Sequence, residues 1–285
     1  MSRVLIIGSN DPLTENICEI LVASAIPTEV AHGNADALQR VRIRSFGVVI
    51  TRPESRMQED LALLQEIRLI RPAARCIALT QHNTPADVIA ALRAHVYATF
   101  SEPFDARSIA SLAEEAASNS EWRDEIQLIS ARDGWVSLSA NCHMLTAERL
   151  MTFIRELNLL LPRETRQEML QALREILMNA IEHGAAFNAD QLVYLTVVRT
   201  MRSVVFYVRD PGGGFRRETL DPDIIAGEAE DPIEHMQHRE AAGMRAGGYG
   251  LLLASGTVDE LIYNDIGNEV VLIKYTDQRP PAETS

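Results

Sequence analysis

Between residues 3 and 118, short apolar runs alternate with stretches whose apolar positions recur every three or four residues. The runs read VLII, TEV, VVIT, CIALT and VYATF, and helices are predicted to start near Pro12, Asn34, Met57, Thr84 and Phe104. Five strand-helix units of this kind predict an α/β fold, a doubly wound parallel sheet with helices on both faces and a site at the carboxyl ends of the strands. From Ala106 to about Ser130 the chain stays helix-compatible, with Ile109, Leu112, Ala116, Trp122, Ile126 and Ile129 in loose register until ARDGW breaks it. The pattern therefore predicts a first domain over 1–118 and a linker helix over 119–132, either a plain extension of the last helix or a relay or dimerisation helix. Residues 133–277 predict a strand WVSLSA, helices over about 146–160 and 164–183, alternating strands LVYLTVV and SVVFYVRD, a long charged segment, a helix from about 249 and two closing strands. Helices on one face of a mixed sheet make an α+β sandwich, and 278–285 reads as a disordered tail.

One helix of the second half carries an unusual polar pattern. EILMNAIEHG sets Glu175 and Asn179 four residues apart, followed by Glu182 and His183. At 3.6 residues per turn these share one stripe, while Leu173, Ile176, Leu177 and Ala180 share another. The polar stripe faces water or a ligand. Two further motifs follow in order: DPGGGF directly after a strand, and GGYGLLLASGTVDEL opening a helix.

Composition narrows the chemistry. The chain has 285 residues, 46% hydrophobic and 24% charged, with no apolar run near the roughly 20 residues of a membrane span and no secretory signal before the first strand. A net charge of -13 opposes phosphate backbones and anionic lipid, so neither nucleic acid nor a membrane surface is expected as a direct partner. Cys18, Cys76 and Cys142 are far apart without metal spacing and read as reduced thiols of a cytoplasmic protein. Lys274 is the only lysine, too near the C-terminus to serve a P-loop or the strand position of a eukaryotic-type kinase.

The first half, with CIALTQH and FSEPFDARSI at the ends of its fourth and fifth strands, resembles the flavodoxin-like receiver domain of two-component response regulators. The resemblance implies clustered acids after the first strand for Mg²⁺, an acceptor Asp after the third, a Ser or Thr after the fourth and a Lys after the fifth. Here the first corner reads Gly8, Ser9, Asn10 and Asp11, the acceptor position is Arg52, Thr80 keeps the hydroxyl, and the Lys position is Glu102. A guanidinium cannot take a phosphoryl group in this chemistry, and Mg²⁺ needs hard oxygen ligands, so the domain reads as a pseudo-receiver. Arg52 and Glu102 are either unrelated surface charges or a charge-reversed pair that ties two loops together.

The three motifs of the second half, in their order and spacing, resemble the GHKL ATPase superfamily, whose fold is the Bergerat α+β sandwich. The NAIEHG form and the terminal GNEVVLIKY look most like the anti-sigma-factor serine/threonine kinases. The resemblance implies ATP and Mg²⁺, with the polar stripe facing the nucleotide. Asp210, an acceptor at a strand end, suits the exocyclic amine of adenine. Gly212 and Gly214 leave room for the ring. The amide oxygen of Asn179 suits a Mg²⁺ already held by phosphate and water. Gly247, Gly248 and Gly250 lead into a helix whose free N–H groups can bind phosphate. Glu175, one turn from Asn179, is placed to accept a proton from an incoming hydroxyl. Residues 215–246 read as a lid over the nucleotide, with Arg216, Arg217, Arg239 or Arg245 as phosphate ligands. His143 in NCHML lacks the surroundings of a phosphoacceptor histidine. By resemblance the substrate is a Ser or Thr on a STAS-domain antagonist and the second partner a sigma factor, and such kinases are commonly homodimers. Two alternatives stand beside this: a module that binds ATP and sequesters a partner without phosphorylating it, and a histidine-kinase-like protein acting on a separate phosphoacceptor.

Overall fold

The computed structural model describes residues 2–118, 125–157, 159–214 and 256–276. These form two compact units, residues 2–118 with 152–157 in one and residues 125–151 with 159–214 and 256–276 in the other.

In the first unit, strands β1 (Arg3–Ile7), β2 (Thr28–Ala31), β3 (Phe46–Ile50), β4 (Arg75–Thr80) and β5 (Ala98–Ser101) pair in parallel in the order β2-β1-β3-β4-β5. Helices α1 (Pro12–Ala23), α2 (Asn34–Ile43), α3 (Met57–Ile70), α4 (Pro85–Arg93) and α5 (Ala106–Ser118) follow the strands in turn. Successive strand residues face opposite sides, and the core divides accordingly. Val4, Ile6, Val48 and Ile77 meet Ile17 and Leu21 of α1 and Ile109 of α5. Leu5, Ile7 and Val49 meet Val41 of α2 and Leu63 and Ile67 of α3. Cover on both faces is why these strands are unbroken apolar runs rather than alternating ones. This is the doubly wound receiver fold expected from the sequence.

The carboxyl edge of this sheet departs from that expectation in its charges. Asp11 caps α1, accepting from Thr14 N at 3.0 Å and Thr14 Oγ1 at 2.7 Å. Burial pushes its pKa up, but the bonds from Thr14 and Ser9 outweigh it and hold the carboxyl below its usual value. The one acid at the first corner is thus engaged in capping a helix. Neither Arg52 nor Glu102 forms an ion pair among the described residues, and Glu102 is exposed, so the reversed pair is not made. The Arg52 charge acts instead on Asp60 in the first turn of α3. Asp60 is 2% exposed and accepts from Thr51 Oγ1 at 2.9 Å, while Thr51 Oγ1 in turn accepts from Leu79 N at 3.0 Å. Burial drives the Asp60 pKa up to about 6 despite bonds from Ser55 and Thr51 and the field of Arg52. A first-turn acid reads in sequence as a solvated partner of the helix dipole, which is why Asp60 was not expected in the core.

In the second unit, β6 (Ile126–Arg132), β7 (Trp135–Asn141), β8 (Leu192–Arg199), β9 (Ser203–Arg209), β10 (Glu260–Tyr263) and β11 (Glu269–Tyr275) form a sheet in the order β10-β11-β9-β8-β7-β6. Every pair is antiparallel, so the mixed sheet expected from sequence is corrected among the described residues. The linker helix is corrected as well, because 126–132 is a strand and the second unit starts at Glu125. The cause is Asp133-Gly134, with Gly134 at φ 71°, a two-residue turn that joins β6 to β7 as a hairpin. Arg199 N donates to Gly134 O at 2.8 Å and fixes the turn to β8. Val136, Leu138, Leu195, Val197, Phe206, Val208 and Leu272 are buried on the inner face, and helices α6 (Met144–Glu156) and α7 (Arg163–Asn179) contribute Leu150, Met169, Leu173 and Leu177 to the core. Lys274 donates to Thr257 O at 2.9 Å and faces Asp259, which makes it a tether for the residues before β10.

The Asp60 shift has a testable sign. Its folded pKa lies above the unfolded one, so the contribution to stability is complete below about pH 4 and is lost as pH rises through about 6, a cost of about 2–3 kcal/mol at neutral pH. Asp60→Asn is expected to flatten the pH dependence of thermal unfolding between pH 4 and 6 and to leave the protein at least as stable at pH 7.

Candidate nucleotide-binding site

The apolar side of α7 is sealed, with Leu173 and Leu177 at 0% exposure, and Glu175 and Asn179 on the other side are half-buried. After Asn179 the helix widens into a single π-turn, Ala180–Gly184, closed by Ala185 N donating to Ala180 O at 2.9 Å. The wider turn takes Glu182 and His183 off the 3.6-residue stripe expected for them, and His183 is exposed. Ala186 and Phe187 then take left-handed φ values of 49° and 58° and turn the chain towards β8. The π-turn delivers Gly184 against Asp210, which follows β9. A Cβ at Gly184 would stand 2.5 Å from Asp210 Oδ1, closer than real Cβ contacts come.

Asp210 is held from two directions. Its N–H donates to Asn268 O at 3.0 Å, and its Oδ1 accepts from Gly212 N at 2.7 Å. Asn268 Nδ2 closes the clip by donating to Gly212 O at 3.1 Å. Burial raises the carboxyl pKa, and the Gly212 bond offsets part of the rise. Oδ2 carries no hydrogen bond among the described residues and is left as an acceptor for an amine. Cys142 is near enough to feel this charge, and burial with Asp210 drives its thiol up to about 11, an inert form. A cavity of about 400 Å³ at this strand end is lined by Gln191, Leu192, Tyr194, Arg209, Asp210, Pro211 and Asn268; Tyr194 and Arg209 belong to the sheet face turned away from the core, and neither Glu175 nor Asn179 lines it.

The expected residues are thereby partly brought together. Asn179 and Glu175 lie about one and two turns back along α7 from the Gly184–Asp210 contact. The Asn179 amide has no hydrogen-bond partner among the described residues. Gly212 and Gly214 are needed by the protein's own backbone, not only by a ring. A Cβ at Gly212 would lie 2.7 Å from Gly184 O, and one at Gly214 would lie 2.0 Å from Ile266 O. Gly247, Gly248 and Gly250, the lid over 215–246 with its arginines, the helix from about 249 and the tail over 278–285 lie outside the described residues. Asn268 was not expected. Its signal was the run NDIGN, in which Asn264 Oδ1 accepts from Gly267 N at 2.8 Å and from Asn268 N at 3.1 Å to shape the turn before β11. A half-buried carboxylate with one oxygen free of hydrogen bonds among the described residues, cleared by two glycines, fits the amine edge of adenine. Among the described residues there is no His, Cys, Asp and Glu cluster for a metal. The Asn179 amide oxygen is of a kind that suits a Mg²⁺ otherwise held by nucleotide oxygens. No described helix is long and apolar enough to cross a membrane.

Comparison with known proteins agrees with the second unit's geometry. Residues 139–274 match the histidine kinase-like ATPase domain. The match supports an ATP-using unit of kinase or ATPase type for this part of the chain. Solved structures similar to the chain are receiver domains. One from Methanospirillum hungatei JF-1 is 19% identical with a TM-score of 0.37, covering 41% of this chain and 94% of its own. Another from Clostridium thermocellum is 22% identical with a TM-score of 0.36, covering 41% and 95%. The HemR receiver domain of Leptospira biflexa is 17% identical with a TM-score of 0.38, covering 43% and 99%. No curated protein matches the chain.

The Gly184–Asp210 clearance sets an expectation for binding. Gly184→Ala must displace Asp210 and is expected to weaken ATP binding roughly tenfold or more by calorimetry. Gly213→Ala, whose methyl meets open space, is expected to leave the melting temperature unchanged.

Proposed function

We propose that this protein is an ATP-dependent serine/threonine protein kinase of the anti-sigma-factor type, working in the cytoplasm with Mg²⁺ in a partner-switching circuit. Its substrate is a Ser or Thr hydroxyl on a STAS-domain antagonist, its competing partner is a sigma factor, and the kinase acts as a homodimer. The observation that supports the reading is the Gly184–Asp210 contact, where a carboxylate of the kind an adenine amine would need lies near the end of the helix that bears Glu175 and Asn179. Asp210 would read the base, and Asn179 would hold a Mg²⁺ that offsets the phosphate charge. Glu175 takes the proton of the incoming hydroxyl as its oxygen bonds to the terminal phosphorus and the bond to the ADP oxygen breaks. The receiver-like unit takes no phosphoryl group in this proposal, since Arg52 stands at the acceptor position and Asp11 is engaged as a helix cap. It regulates the kinase without being phosphorylated itself.

The test is transfer of labelled phosphate from ATP to a STAS-domain protein. Acid-stable label on the antagonist is the expected result, with Glu175→Ala slowing transfer roughly 100-fold or more at little cost in ATP affinity. ATP binding without transfer would leave a sequestering module, and acid-labile label would point to histidine chemistry.

A further inference from the structure

The carboxylate proposed to accept the proton has a cation beside it. Arg174, its neighbour on α7, reaches sideways to Glu148 on α6, where Nε donates to Oε1 at 3.0 Å and Nη2 bonds the same oxygen. The remaining nitrogen, Nη1, stands 3.6 Å from Glu175 Oε1. Adjacent residues on a helix diverge by about 100° and do not normally face each other. The guanidinium comes near Glu175 because Glu148 holds it across the gap between the helices. At 3.6 Å the contact is too long for a hydrogen bond. It brings positive charge to the carboxylate while leaving the oxygens open to a hydroxyl proton.

These side chains keep 35%, 32% and 24% exposure for Glu148, Arg174 and Glu175. Ion pairs so exposed add little to stability, so orientation is the larger effect open to this arrangement. Orientation matters at such a position, because misplacing a reacting group by about 1 Å can cost on the order of 100-fold in rate.

We propose that Arg174, anchored by Glu148, is a positioning residue that fixes the Glu175 carboxylate for proton acceptance and sets the turnover rate without contributing to nucleotide affinity. This rests on the reading of Glu175 given above. The full-length protein is assayed with ATP and Mg²⁺ and no acceptor protein, so that water takes the place of the hydroxyl and phosphate release reports turnover. ATP affinity is measured separately by calorimetry, and stability by thermal melting.

Arg174→Met is expected to lower kcat roughly 10- to 100-fold with ATP affinity and melting temperature unchanged. Arg174→Lys keeps the charge but not the fork and should recover part of the loss. Glu148→Ala, which frees the guanidinium, should also lower kcat. The double variant of Arg174→Met with Glu175→Ala should be no slower than Glu175→Ala alone, because the two act as one unit. Wild-type turnover in Arg174→Met beside an inactive Glu175→Ala would overturn the positioning role and leave the Glu175 assignment standing. Parallel losses of kcat, affinity and melting temperature in Arg174→Met would also overturn it, since a residue that merely clamps two helices behaves that way. No turnover in the wild type, or full turnover in Glu175→Ala, would remove the underlying reading of Glu175 itself.

Discussion

The close approach of Gly184 to Asp210 is the constraint from which the second unit's site is built. A methyl group at position 184 would fall 2.5 Å from the Asp210 carboxylate, and one at Gly212 would fall 2.7 Å from the Gly184 carbonyl. The Gly212 clash is with backbone, and the Gly184 clash is with a carboxylate held by Gly212 N at 2.7 Å, so neither meets a free side-chain end. The π-turn after Asn179 supplies the geometry that brings a side-chain-free residue to that point. One contact therefore ties the helix that carries Glu175 and Asn179 to the loop that carries Asp210. The partial burial that raises the Asp210 pKa would also strengthen a hydrogen bond from a base.

The first unit applies the same physics to a different end. A carboxylate in its core, Asp60, is kept only by hydroxyl bonds and by the nearby charge of Arg52, and part of the cost of burying it remains as a raised pKa. The acid at the first corner, Asp11, is likewise engaged internally. Of the charges at this carboxyl edge, Asp11 satisfies a helix end, while Arg52 keeps a buried Nε without a hydrogen-bond partner among the described residues.

Much of the fold was legible because strong periodicity is a local signal. Strand runs such as VLII and CIALT, and helix starts at Pro12, Asn34 and Met57, stand where the pattern set them. The errors arose where long-range contacts outweigh local pattern. Ile126 and Ile129 fit a helix register, yet pairing with β7 across the Asp133-Gly134 turn makes the segment a strand, and that dipeptide was the available signal. The stripe through Glu175 and Asn179 was visible, but its break at the π-turn was not, since i→i+5 bonding leaves no periodic mark. Side-chain pairing was the least legible level. Arg52 was expected to meet Glu102 or nothing, and its charge acts on Asp60; Arg174 and Glu148, brought together by two helices packing, have no sequence signature at all.

Calorimetric titration of the full-length protein with ATP, with and without Asp210→Asn, reaches the central claim most directly. An amide at 210 can turn a donor towards the adenine amine and loses the Gly212-held carboxylate, so affinity should fall roughly tenfold or more while the fold persists by circular dichroism. Wild-type protein that does not bind ATP, or Asp210→Asn that binds it unchanged, would contradict the placement of the nucleotide at the Gly184–Asp210 contact.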